Sequence, residues 1–288
     1  MKLQQNIKFK EGWKAELDLS FAPASLATVK PNNVRTVMQR SHHHGPLRVQ
    51  RPFYPEDNVA HIYILHPPGG VVGGDQLTIK LDILENAQVL STTPGSGKFY
   101  CSVGDWARLE QTLMVKAGAS LEWLPQENIL FAGACLHATT KIKVEDDGVF
   151  IGWDITCLGR PTSHERFEQG GFFAQLEFYH NQQLILVENQ RVFDKQTLDA
   201  TAGLRGQPLQ ATLLAFPCTE ADLECVRTQL SSKQISTLIG ASLMDGLLVI
   251  RALADNSELL KQQLIQLWQT LRPLLLDRAS VIPRIWAT

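Results

Sequence analysis

At 288 residues, with 44% hydrophobic and 19% charged side chains, the chain has the composition of an ordinary globular protein and too much burial potential for a disordered one. Its 27 basic and 29 acidic residues give a formal net charge of −2, spread without a block of like charges, so there is no electrostatic footprint for nucleic acid. Arg251 interrupts even the run LLVIRALA, which excludes a membrane span of roughly 18 uncharged residues, and MKLQQNIKFKEGWKAELDL has no apolar signal-peptide core; a soluble, cytoplasmic protein is expected.

From Lys14 to about Phe193 short alternating or β-branched runs are separated by turn residues, with hardly any helical periodicity. The predicted strands are Lys14 to Phe21, Leu47 to Arg51, Ala60 to Leu65, Gln76 to Leu84, Arg108 to Val115, Thr139 to Val144 and Val149 to Cys157. Phe172 to Tyr179 and Leu184 to Val187 flank His180-Asn181-Gln182-Gln183, which predicts a hairpin with a four-residue loop. The character changes near Gln210. A strand from Gln210 to Phe216 leads to Thr219-Glu220-Ala221-Asp222, a capping signature for a helix carrying Leu223, Val226 and Leu230 on one face.

Two further strands, Thr237 to Met244 and Leu247 to Leu253, are joined by Asp245-Gly246, a pair that tolerates the positive φ of a tight turn. A second helix begins near Asn256-Ser257, carries Leu260, Leu264, Leu267, Trp268 and Leu271, and is expected to end or kink at Pro273. The fold class is therefore mainly β: a large body of many short strands with two α-helices in the C-terminal third. Residues 12–208 form the β-rich body and 209–288 a smaller α+β portion packed against it, within one unit. No fixed repeat of 20 to 50 residues is evident, so no solenoid is predicted.

Thr93-Pro94-Gly95-Ser96-Gly97-Lys98 resembles a phosphate-binding loop but fails its pattern, which needs glycine at Thr92 and a hydroxyl side chain at Phe99. It reads as a turn between strands. Of His42-His43-His44, alternation lets at most His42 and His44 share a face, which leaves a two-ligand metal site or an exposed polar strand end. In His66-Pro67-Pro68-Gly69-Gly70-Val71-Val72-Gly73-Gly74-Asp75, two prolines and four glycines demand a close approach or sharp turn. Asp75 either closes that loop through backbone hydrogen bonds or is a carboxylate in a polar passage; Asp154 and Glu165 pose the same choice. The five cysteines form an odd set without a C-x-x-C pair and read as reduced, partly buried residues. No catalytic fingerprint is present.

Five long segments resemble the UreD (UreH) family of urease accessory proteins: GPLRVQRPFYPE from Gly45, HPPGGVVGGD from His66, LEWLPQENILF from Leu121, WDITCLGRP from Trp153, and the ending from Leu271 to Trp286. The resemblance implies a β-rich fold with two helices and no catalytic activity. It implies binding to the urease structural subunits and to UreF, which recruits the GTPase UreG, with UreE as a nickel donor to the complex. Nickel would be in transit only, with no tightly bound cofactor. Weak, releasable coordination favours carboxylates and imidazoles over thiolates, so Asp75, Asp154 and Glu165, then His42 and His66, are the expected path residues. Two positions depart from the family pattern: Cys101 stands where a basic residue is common, and His164 where glycine often precedes Glu165.

Overall fold

The computed structural model describes residues 12–24, 34–231 and 237–287; the amino-terminal stretch read above for a signal peptide lies outside them up to residue 11. The chain starts with the antiparallel pair β1 (Lys14–Pro23) and β2 (Thr36–His44), then β3 (Arg48–Val49) and β4 (Ala60–Leu65). It then winds through β5 (Gln76–Ile83), β6 (Gln88–Thr92), β7 (Gly97–Phe99), β8 (Ala107–Val115), β9 (Ser120–Leu124), β10 (Asn128–Leu130), β11 (Cys135–Val144) and β12 (Val149–Arg160). After these come β13 (Glu165–Arg166), β14 (Gln169–His180), β15 (Gln183–Asp194) and the five-residue helix α1 (Lys195–Asp199). The remainder is β16 (Leu209–Phe216), α2 (Glu220–Ser231), β17 (Leu238–Met244), β18 (Leu247–Ala254) and α3 (Ser257–Leu276).

Two sheets result, in the orders β15-β14-β11-β8-β5-β1-β2 and β17-β18-β16-β12-β9-β6-β4-β3, with β7, β10 and the far half of β12 forming a narrow third face. Neighbouring turns of the winding pair in parallel, as in a solenoid, which corrects the expectation from sequence. Ala60, Val89, Leu121 and Phe150 stack at successive turns of roughly 30 residues, and on the facing sheet Leu81, Leu113, Ile142 and Phe178 do so, with Leu19 of β1 stacked on Leu81 from about twice that distance along the chain. These positions need only be apolar, and the connecting loops vary in length, so the repeat leaves no recurring motif.

Other differences have equally local causes. β6 and β9 are almost wholly buried, so they lack the alternation that marks a half-exposed strand. The hairpin after His180 has two loop residues, because Asn181 and Gln182 both adopt positive φ (47° and 67°), the geometry of the tightest hairpin turn. Asp245-Gly246 does the same (47° and 78°), as its sequence indicates. Thr219 and Asp222 form the expected cap of α2, with the Thr219 backbone N–H donating to Asp222 Oδ2 at 2.7 Å.

Pro273 lies inside α3 and does not end it. The helix continues to Leu276, and Ser280 Oγ donates at 3.3 Å to the Gln269 carbonyl that the proline leaves without its helical N–H.

Two cores separate three layers. One lies between the sheets; the other packs the far side of the second sheet against α2 and α3. Within the helix layer sits a buried ionic network. Arg272, fully buried, pairs with Glu122 at 2.9 Å and with Glu56 at 2.7 Å. Trp268 Nε1 donates to Glu122 Oε2 at 2.6 Å, and the His61 ring contacts Glu56 at 2.6 Å. Trp286, next to the carboxyl end, rests against Trp153 and Trp268 and donates to Thr92 Oγ1 at 3.0 Å.

Candidate functional site

Alternation along β12 sends Ile151, Trp153, Ile155 and Cys157 toward the helices and Phe150, Asp154, Thr156 and Leu158 toward the facing sheet. The inward positions therefore change from apolar at Phe150 to polar at Asp154 and Thr156, and return to apolar at Leu158. The same change runs along β16, from Phe216 and Leu214 to Thr212 and Gln210; along β18, from Val249 to Arg251; and along β15, from Leu186 to Glu188 and Gln190. Asp154, Thr212 and Arg251 are direct cross-strand neighbours. Where the apolar residues meet, the sheets are sealed; where the polar ones meet, they enclose a cavity of about 820 Å³.

Asp154 lies deep in the protein but keeps part of its surface open to this cavity. Burial pushes its carboxyl above the usual aspartate range; the hydrogen bond from Thr156 (3.3 Å) opposes that rise and the charge of Glu188 adds to it. Asp154 and Asn128 also line a second cavity of about 370 Å³, whose walls include Gln111, the His66–Val71 segment and the Thr93–Phe99 segment. His66 belongs in turn to a third, more open hollow with Trp13 and Asp75. The three hollows thus share walls in sequence, from the glycine-rich loop at one end to the β15–β18 seam at the other.

The glycines make this arrangement possible. Val71 pairs in parallel with Phe99, and a Cβ on Gly70 would sit 2.3 Å from the Tyr100 ring and 2.9 Å from the Lys98 carbonyl. The loop therefore lies flat against β7, and Tyr100 Oη donates to the Gly69 carbonyl at 2.8 Å. Thr93 to Ser96 is the turn from β6 to β7, with Thr93 Oγ1 accepting from the Gln126 N–H at 2.9 Å.

Of the residues expected from sequence, His66, Asp75 and Asp154 fall along these hollows. Asp75 accepts the backbone N–H groups of Trp13 (3.1 Å) and Val72 (3.0 Å), so it also closes its loop. Burial lowers the pKa of His66, with Asp75 opposing. Glu165 lies elsewhere, bridged to Arg160 at 2.5 Å and to the Ala132 N–H at 3.0 Å; the hydrogen bond from Arg160 holds its carboxyl below the usual glutamate range. His42 is exposed on the edge strand β2, opposite Asp18, whose carboxylate takes a hydrogen bond from Arg40 at 2.8 Å. Among the described residues no three His, Cys, Asp or Glu side chains gather as a metal-holding cluster. No described helix is long and apolar enough to cross a membrane.

Glu188, Arg251, Gln111 and Thr140 line the hollows but carry no motif. Their one legible signal is a polar residue at an inward position of an otherwise apolar strand, as with Arg251 in LLVIRALA. The cysteines take no part in this lining. Burial pushes the Cys157 and Cys218 thiols up to about 12, whereas Cys101 and Cys225 are exposed. Iodoacetamide at pH 8 is expected to label Cys101 and Cys225 in the native protein within minutes, and Cys157 and Cys218 only after unfolding, as read by peptide mass spectrometry.

The family model described as UreD urease accessory protein matches residues 14–287. Proteins named urease accessory protein UreD are similar along nearly their whole length. The one from Alcanivorax borkumensis is 43% identical over 96% of this chain and 93% of its own, and that from Citrobacter koseri is 41% identical over 96% and 92%. The Klebsiella aerogenes protein is 39% identical over 97% of this chain and 98% of its own. A match of this extent, on a fold whose β-rich character the sequence already indicated, places the chain in the UreD family of urease accessory proteins.

Proposed function

We propose that this protein is a non-catalytic scaffold and nickel conduit that helps load nickel into the urease apoprotein in the cytoplasm. The observation that carries this reading is the line of hollows between the sheets, whose largely apolar walls carry a few polar side chains, with Asp154 where two of them meet. Nickel is cargo here. A passage suits it when the ligands are few, oxygen-rich and separated, so that each holds the ion weakly enough to release it. Carboxylates, threonine hydroxyls and side-chain amides on the inward positions supply that chemistry, and the buried thiols stay out of the way.

In this reading UreF binds the protein and recruits UreG, which hydrolyses GTP, while UreE donates nickel and the urease structural subunits receive it. Asp75 and His66 stand at one end of the path and Asp154 in its interior. Glu165 and His42 line none of the three hollows, so they are the weaker candidates for that path. The test is co-expression of the tagged chain with urease subunits and the other accessory proteins, followed by affinity capture. Recovery of UreF and urease subunits is expected; capture of neither would defeat the proposal.

A further inference from the structure

We propose that Arg251 is a charge latch at the outer end of the large cavity. In the resting protein its guanidinium occupies Glu188, and a divalent cation can use that carboxylate only when Arg251 swings away. The inference rests on the conduit reading and adds a control element to it.

The seam where the latch sits is unusual in its chemistry. β15 and β17 end their respective sheets, so no backbone ladder joins the two sheets there. Side chains cross instead. Arg251 Nε on β18 donates to Glu188 Oε1 on β15, Thr212 Oγ1 donates to Glu188 Oε2 at 3.1 Å, and Gln190 and Gln210 pair amide to amide. Apolar residues flank this polar band on both sides, Phe150, Phe178, Leu214 and Val249 on one and Leu158, Phe172 and Val192 on the other. Along this band the sheets are held by polar, exchangeable contacts between apolar packing on either side.

The two partners are placed asymmetrically. The Glu188 side chain is 23% exposed and the Arg251 side chain 51%, so of the two partners lining the cavity the guanidinium is the more open to solvent. Arg251 also has somewhere to go. Its ladder partner on β17 is Gly240, where an added Cβ would meet nothing within 4 Å, so an open notch lies on the strand next to it. Swinging into that notch breaks only the contact with Glu188. The backbone ladders of β18 remain intact.

Charge makes the contact a latch rather than a mere tie. An arginine cannot shed its proton in a protein, so its positive charge persists as long as it sits on the path. While bound, it uses lone pairs of Glu188 that a metal would need, and it repels an approaching divalent cation. Moved away, it leaves a carboxylate flanked by the Thr212 hydroxyl and the Gln190 and Gln210 amides, facing Asp154 across one cavity. Oxygen ligands of that kind bind a divalent cation reversibly.

The test is titration of the purified full chain with Ni²⁺ alone by calorimetry or equilibrium dialysis. Arg251→Gln and Arg251→Met are expected to bind about tenfold more tightly than the unaltered protein. Arg251→Lys, which keeps the charge, stays within about twofold of it, and Arg251→Gln combined with Glu188→Gln loses the gain. Unchanged affinity in both Arg251→Gln and Arg251→Met would overturn the latch, as would a gain that survives Glu188→Gln. Nickel delivery by an Asp154→Asn variant decides the conduit separately: if that variant fails to deliver while Arg251→Gln binds nickel no better, the latch falls and the conduit stands.

Discussion

Replacing Arg272 with methionine is expected to lower the unfolding free energy by about 3–5 kcal/mol, measured by urea denaturation at neutral pH. The side chain is fully buried between α3 and the second sheet and pairs with two carboxylates that are themselves nearly buried. Methionine fills much of the volume but leaves Glu56 and Glu122 as charges without their cation. A surface ion pair would cost less than about 1 kcal/mol, so a loss that small would show that water reaches the network. Replacing Arg272 together with both glutamates by apolar residues of similar volume is expected to recover most of the loss, because no charge is then stranded.

The same network predicts the direction of the acid response. Burial alone would raise the Glu56 carboxyl, but its hydrogen bond with His61 and the charge of Arg272 outweigh that and hold it below the usual glutamate range. A depressed folded-state value contributes stability above the unfolded value and loses it as pH falls through the folded one. The unaltered protein is therefore expected to lose stability steeply below the ordinary glutamate range. Arg272→Met, lacking one cause of the depression, should show a shallower acid dependence.

Asp154→Asn is expected to move stability and function in opposite directions. Its carboxyl is raised in the folded protein, chiefly by burial, so the ionised form costs stability. That stability is fully present below the unfolded aspartate value and is lost as pH rises through the folded one. The neutral amide removes the cost. The melting temperature at pH 8 is expected to rise by about 2–4 °C, with the gain vanishing at acid pH.

Nickel content and activity of co-expressed urease should fall about fivefold or more, because the carboxylate where two hollows meet is gone. A more stable variant that delivers nickel normally would remove Asp154 from the path. The trade-off is the expected mark of a charged group retained for function in an unfavourable place.

Much of the fold was legible in local chemistry. Alternation marked β1, β5 and β8, Asp245-Gly246 marked a hairpin, and the Thr219 cap and the Leu260–Leu271 periodicity marked the two long helices. Five ordered segments also pointed to the UreD family, which the full-length match supports. These features depend on neighbours in the chain, so the sequence alone could determine them.

The parallel winding, the register of its turns and the course of the hollows depend on residues far apart in sequence. Ala60, Val89, Leu121 and Phe150 stack without resembling one another, because packing asks only that each be apolar. Glu188 and Arg251 meet across two sheets, and Asp154, Thr212 and Arg251 share a face only through the β12–β16–β18 register. Asp75, Asp154 and Glu165 could not be told apart as carboxylates in turns or strands; tertiary structure separated them by giving Glu165 an arginine, Asp75 two backbone N–H groups and Asp154 a cavity. Residue type and local pattern set which elements form, whereas the burial and partners that give a charged side chain its role arise only when distant strands come together.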